Sequence, residues 1–137
     1  MINLFNINSH VIDTSKYSNL LHDGVVHEFE NAIADYVGAK YAVSFSSATN
    51  AIFLALRGKN TTITVPSMIP PVVLNAIITS GNVHSFRDDT NWVGDSYILH
   101  DFGDYKIIDS AQQIYKDQFI VEANRDDLMV FSFYPTK

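Results

Sequence analysis

The sequence contains no cysteine, so disulfides and thiolate metal sites are excluded, and a reducing compartment is the simplest assumption. Its nine basic residues are scattered and its net charge is −6. This argues against a nucleic-acid partner, because proteins that bind the phosphate backbone need clustered Lys and Arg. The longest apolar stretch, Met68 to Ile78, is interrupted by polar residues and prolines and is too short to span a bilayer. With no basic, apolar leader at the amino terminus, the sequence predicts a cytoplasmic protein without a membrane partner.

What the chain does contain is typical of a globular domain. Apolar residues make up 47% of it and charged residues 18%. The length of 137 residues suits one domain with its own hydrophobic core. The histidines show no spacing typical of metal ligands, and no glycine-rich loop of the dinucleotide or Walker type is present. We therefore expect a single domain without a metal site.

The apolar pattern predicts a chain that alternates helices and strands. Residues 1–23 have no clear period and are predicted to form an irregular arm, with the domain over residues 24–137. Apolar residues three and four apart predict a helix from Gly24 that ends at Gly38. Further helices are predicted at 51–56 and 72–79. Strands are predicted at Tyr41–Phe45, Thr62–Val65, Val83–Phe86 and Leu128–Phe133. The short joins favour a parallel sheet covered by helices.

The alternation breaks in the second half of the chain. Tyr97–His100 and Lys106–Asp109 both have strand composition, yet only Asp101 to Tyr105 lies between them. A parallel crossover needs about a dozen residues, usually a helix. Either the two segments form an antiparallel hairpin, or one of them is not a strand. Gln118 to Val121 is a candidate edge strand.

Two predicted strand ends carry residues suited to binding an anion and a ring nitrogen. Residues 46–50, with their serines and Thr49, join a strand to a helix N-terminus, where backbone N–H groups and the helix dipole favour an anion. Ordinary helix capping explains the same residues. Asp109 lies at the carboxyl end of a strand, where open α/β sheets bind ligands, and could pair with a protonated pyridine nitrogen. The alternative is a solvated or capping aspartate.

The last predicted strand leads to Lys137. A primary amine there can form a Schiff base with a carbonyl, and pyridoxal phosphate is the usual carbonyl partner. A solvated terminal charge is the alternative. Ser132, near the end of that strand, could reach the same anion as the serine-rich turn, or could be a core residue bonded to the backbone.

Taken in order, several segments resemble the amino-terminal part of the DegT/StrS-type sugar aminotransferases, which are fold-type-I, aspartate-aminotransferase-like pyridoxal phosphate enzymes. The segments are GVVHEFENAIADYVGAKYAVSFSSATNAIFLAL, ITVPSMIPPVVLNAIITSG, LHDFG, IIDSAQQ and DDLMVFSFYPTK. The resemblance implies a reduced three-layer α/β/α domain with a mostly parallel sheet, similar to the large domain of these transferases. It also implies a homodimer with sites at the interface.

The resemblance assigns roles residue by residue. Lys137 would be the Schiff-base lysine that shuttles the proton, Asp109 the partner of the pyridinium, and Gln112 a neighbour of the ring oxygen. The phosphate-binding positions would be Thr49, the backbone of Asn50, and Ser132. The cofactor would be pyridoxal phosphate. The reaction would move an amino group, commonly from glutamate, to a keto-sugar attached to a nucleotide.

The sequence also departs from the family pattern. Ala48 stands where the phosphate turn normally has glycine, Ile69-Pro70 replaces a threonine-aromatic pair, and the helices around LHDFG are missing. The chain ends at Lys137, so we expect an amino-terminal fragment or a shortened form that is inactive alone. The alternatives are a non-catalytic remnant that serves as a binding or assembly module, and a generic α/β domain with coincidental motifs.

Overall fold

The computed structural model describes Asp13, Ser15 and residues 24–134. The rest of the predicted arm, and Lys137 with it, lies outside the described residues. The helices are α1 (Gly24–Val37), α2 (Ala48–Leu56), α3 (Pro71–Thr79) and α4 (Gln118–Glu122). The strands are β1 (Thr62–Pro66), β2 (Val83–Arg87), β3 (Tyr97–Asp101), β4 (Lys106–Asp109) and β5 (Leu128–Val130). The chain is therefore mixed α/β, as expected.

The helix ends follow the capping chemistry of the sequence. Gly38 has φ +77°, a left-handed conformation in which glycine carries no steric penalty, and its N–H donates to Ala34 O at 2.9 Å. This confirms the predicted end of α1. Helix α3 begins at Pro71, where the missing N–H of proline costs no hydrogen bond.

The strands form two small sheets within the described part of the chain. Strands β1 and β2 pair in parallel, and the second sheet has the order β3-β4-β5. In it β3 and β4 are antiparallel, whereas β4 and β5 are parallel. The short join is thus a hairpin, which decides between the two alternatives left open by its length. Because this join holds no helix, β3 cannot run parallel to β4.

One hydrophobic core connects both sheets with α2 and α3. Its largest fully buried members come from these helices and from β1, β3 and β4: Ile52, Leu56, Ile63, Val65, Ile77, Leu99 and Ile107. Val130 of β5 joins the same cluster. The buried residues of helix α1, Ala34 and Val37, are not members of this cluster. The carboxyl end of β4 and the N-terminus of α2 are therefore anchored to one core.

The predicted strand Tyr41–Phe45 is not formed, and this prediction was wrong. Among the described residues no strand pairs with it, and Tyr41 and Val43 are 74% and 70% exposed. The N–H of Ser44 instead donates to the Glu30 carboxylate of α1 at 2.7 Å. A strand needs a neighbour for its backbone groups, so strand-forming residues alone do not create one.

Two other predicted strands also differ from the structure. Gln118–Val121 belongs to helix α4 and not to an edge strand, because the backbone turns at Asp117, which has φ +63° and whose N–H donates to Tyr36 O at 2.8 Å. The predicted strand Leu128–Phe133 ends at Val130. Residues 131–134 have no regular structure.

Candidate functional site

The N-terminus of α2 presents exposed hydroxyl groups and backbone donors. The Ser47 hydroxyl caps the helix by accepting from the Asn50 N–H at 3.2 Å, and the Asn50 side-chain amide donates to the Ser46 hydroxyl at 2.8 Å. Within the described residues the N–H groups of Ala48 and Thr49 have no hydrogen-bond partner. The ordinary capping interpretation therefore holds for Ser47, while two backbone donors remain for an anion.

The departure of Ala48 from glycine does not obstruct this turn. Ala48 is half-buried and its side chain packs against the hydrophobic core. Because a methyl group that packs against the core lies away from the open side of the turn, the added Cβ does not crowd the approach of an anion to the backbone.

Asp109, at the end of β4, is buried, with 4% of its surface exposed. Its Oδ1 accepts the Ala111 N–H at 3.0 Å, and its Oδ2 accepts the Tyr97 hydroxyl at 2.8 Å. Two donors directed at one carboxylate favour its charged form in a buried position. The alternative of a solvated aspartate does not describe this residue. Its environment is that of a fixed acceptor.

The Tyr97 hydroxyl is held in its protonated form. Burial raises the pKa of Tyr97 above its ordinary value, and the neighbouring Asp109 carboxylate raises it further, with the Arg87 cation opposing in part. The ring lies 5.6 Å from that of Trp92, centroid to centroid. The indole Nε1 of Trp92 is buried and has no hydrogen-bond partner among the described residues.

A buried polar network supports the turn after Asp109. The Ser110 hydroxyl contacts the Ser96 hydroxyl at 2.8 Å and accepts from the Gln118 side chain at 2.6 Å. The Ser110 N–H donates to Val130 O at 2.8 Å, which joins the turn to β5. The Asp109 backbone is thus held by β4 before it and by the bonded Ser110 after it.

The remaining predicted residues are placed less closely. Gln112 is exposed, and its side-chain oxygen accepts the Gly94 N–H at 2.7 Å. Ser132 is half-buried just beyond β5, and its side chain makes no hydrogen bond to another described residue. No hydrogen bond between described residues joins the α2 turn to Asp109 or to Ser132. Two shallow surface clefts are lined by other residues, one between β1 and β3 and one beside Ser96.

Tyr97 and Gln118 were missed from the sequence. The signal for Tyr97 was present, because an antiparallel hairpin aligns the first residue of β3 with the last residue of β4. Because the sequence left open whether these two segments form a hairpin, the contact between Tyr97 and Asp109 was not predicted. Gln118 gave no comparable signal, since a polar residue in a short apolar segment is usually a solvent-facing one.

A comparison with protein families matches residues 6–91 to the DegT/DnrJ/EryC1/StrS aminotransferase family. The match covers more than half of the chain. The chain belongs to this family. No curated protein matches it. The DegT match includes the α2 turn with Thr49 and Asn50 but ends before Asp109. Family members are generally dependent on pyridoxal phosphate.

The described residues suit that cofactor in two respects. A pyridinium pairs with a carboxylate acceptor, and the buried Asp109 carboxyl group is held in place by hydrogen bonds from Tyr97 and Ala111. A phosphate needs unpaired N–H donors at a helix N-terminus, and Ala48 and Thr49 supply them. In the part of the chain that the structure covers, no cluster of His, Asp and Glu could hold a metal ion, and no helix is long and apolar enough to cross a membrane.

Proposed function

We propose that this chain is the amino-terminal part, or a shortened form, of a pyridoxal-phosphate-dependent aminotransferase. The proposed reaction moves an amino group from glutamate to a nucleotide-linked keto-sugar. Residues 24–137 would derive from the three-layer large domain of these enzymes. The observation that carries the proposal is the buried Asp109 carboxylate, fixed by two donors at a strand end, in a chain that belongs to the DegT family.

The residues of this chain would divide the work of holding the cofactor. The Ala48 and Thr49 N–H groups and the Thr49 hydroxyl would bind the phosphate, with Ser132 as a further donor. Asp109 would accept a hydrogen bond from the protonated ring nitrogen. The Gln112 amide would lie beside the ring oxygen. When bound, pyridoxal phosphate supplies an electron sink for the bond-breaking step. Lys137 would be the amine nucleophile and would carry the proton during transfer.

Two properties of the surroundings of Asp109 suit this role. The Tyr97 hydroxyl stays protonated and therefore remains a donor to Asp109. Asp109 is largely shielded from water, which strengthens a charge-assisted hydrogen bond to a ring nitrogen. A solvent-exposed aspartate would offer neither advantage.

The test is lysine-dependent absorption. Pyridoxal phosphate added to the purified chain should give a visible absorption band that survives gel filtration, and Lys137→Ala should abolish the band. Asp109→Asn should weaken retention of the cofactor. Any band that remains in this variant should still depend on Lys137. The absence of any Lys137-dependent band in the wild-type chain would overturn the proposal.

A second candidate function is a non-catalytic binding or assembly module, with self-association as a homodimer. The observation in its favour is the exposure of large apolar side chains near α1: Tyr41, Val43, Phe133 and Tyr134. The Phe133 ring contacts the Phe29 ring of α1 at 5.4 Å, and the Ser44 N–H donates to the Glu30 carboxylate of the same helix, so both segments lie beside α1. Sedimentation of the wild-type chain and of Tyr41→Ser/Val43→Ser would test self-association. Transamination by the chain would rule out a non-catalytic role.

A further inference from the structure

The β3–β4 hairpin places Tyr97 directly opposite Asp109 in the antiparallel register. The side chains of such a pair project from the same face of the sheet, and here the hydroxyl reaches the carboxylate at 2.8 Å. A parallel β3 would have brought its other end, Asp101, to this edge of the sheet. The contact therefore exists because the join between the strands is too short for a crossover helix.

The surroundings of Tyr97 restrict its ring. The Trp92 ring lies against it at 60°, and Trp92 is buried. The Arg87 cation, which partly opposes the rise in the pKa of Tyr97, is itself bonded to Thr64 O at 2.8 Å and to Asp89 at 3.3 Å. A ring that is packed on one side and bonded at its tip has few alternative rotamers.

The consequence for Asp109 is a defined orientation of its carboxylate. A carboxylate has about four lone-pair sites on its two oxygens. Tyr97 and Ala111 each take one of them. Because one donor holds each oxygen, the rotation of the carboxylate is fixed.

We propose that Tyr97 is a positioning residue that orients the Asp109 carboxylate toward the ring nitrogen of the cofactor. This inference rests on the proposed function. The Tyr97 hydroxyl acts through Asp109 and does not need to touch the cofactor.

The experiment compares two ligands that differ only at the ring nitrogen. Pyridoxal phosphate and its 1-deaza analogue, which has carbon in place of that nitrogen, are titrated into the full chain, and bound ligand is measured by equilibrium dialysis. Tyr97→Phe should bind pyridoxal phosphate roughly tenfold more weakly than the wild type does. Its affinity for the deaza analogue should be unchanged, because that analogue makes no bond to Asp109.

Tyr105→Phe is the matched control. It removes the same atom from the opposite end of the hairpin, where the Tyr105 hydroxyl has no hydrogen-bond partner among the described residues. It should leave both affinities unchanged. Circular dichroism establishes that each variant is folded. Should Tyr97→Phe not fold, 3-fluorotyrosine at position 97 keeps the ring and hydroxyl but alters donor strength, and should change affinity for pyridoxal phosphate alone.

Each other outcome overturns the inference in a distinct way. Equal losses for both ligands in Tyr97→Phe would show a structural role only, and no loss for either would show that Tyr97 is irrelevant to the ring nitrogen. In both cases the proposed function stands. If the wild-type chain binds neither ligand, the proposed function itself fails, and this inference fails with it.

Discussion

Replacing Gln118 with leucine tests the buried network that holds the turn after Asp109. Gln118 is fully buried, and its side-chain amide donates to the hydroxyls of Ser96 and Ser110 at 2.9 and 2.6 Å. Its oxygen accepts the Tyr115 N–H at 3.0 Å. Leucine has nearly the same volume but cannot donate or accept. The substitution therefore removes hydrogen bonds while adding little strain.

The expected cost can be worked out from what is left without a partner. Ser96 and Ser110 still bond each other, and Gln113 still donates to Ser96. The Tyr115 N–H loses its acceptor, and each unsatisfied buried group costs about 1–3 kcal/mol. Burial of the more apolar leucine side chain offsets part of this cost. The free energy of unfolding should therefore fall by about 2 kcal/mol. For a domain of this size that lowers the melting temperature by about 7 °C.

The assay is urea unfolding followed by Trp92 fluorescence, with Gln113→Leu as control. Gln113 is half-buried, and its side chain makes one hydrogen bond to a described residue, Ser96, at 2.9 Å. Its replacement should cost about 0.5–1 kcal/mol. If Gln118→Leu proved no more destabilising than Gln113→Leu, the reasoning about this network would be refuted.

Two further predictions concern a tight turn and a titrating tyrosine. Gly38→Ala should lower the free energy of unfolding by about 2 kcal/mol, and Gly58→Ala should lower it by about 1 kcal/mol. Both glycines have φ +77°, but of the two only the Cβ added at Gly38 would meet a side chain, with Ile120 Cγ1 at 2.6 Å. The midpoints of urea unfolding measure both losses, and in an Ile120→Ala background the two losses should become equal. Equal losses with Ile120 present would contradict the packing argument. The bond from Tyr115 to the Glu122 carboxylate raises the pKa of Tyr115 to about 12. Its contribution to stability is therefore present in full below about pH 10, the ordinary tyrosine pKa in unfolded chains, and is lost as the pH rises through about 12. The stability difference between wild type and Tyr115→Phe should therefore be constant below that range and shrink within it; a difference that grew with pH would refute the assignment.

The sequence predicted the elements whose determinants are local. Apolar spacing and a glycine define α1, and Gly38 ends it through its own backbone conformation. The length of the join alone required either a hairpin or the loss of a strand. Tyr41–Phe45 could not be predicted in this way, because a strand depends on a neighbour that is distant in sequence. The helix at Gln118–Glu122 depends likewise on contacts with Ser96, Ser110 and α1.

In the candidate site, too, local features could be predicted from the sequence and contacts between distant segments could not. The position of Asp109 at a strand end and the cap at the start of α2 follow from local pattern. The burial of Asp109 and its bond to Tyr97 follow from strand register, which the sequence left undecided. Whether Gln112 and Ser132 contact one ligand together with Thr49 stays a prediction.

The most direct test of the central claim is a map of where pyridoxal phosphate binds. Amide resonances of the ¹⁵N-labelled chain are followed during titration with pyridoxal phosphate, and again with pyridoxal, which lacks the phosphate. We expect pyridoxal phosphate to shift two clusters of resonances, at Ala48–Asn50 and at Asp109–Ala111, and pyridoxal to shift only the second. Shifts confined to other residues, such as those lining the cleft between β1 and β3, or no shifts at saturating cofactor, would contradict it.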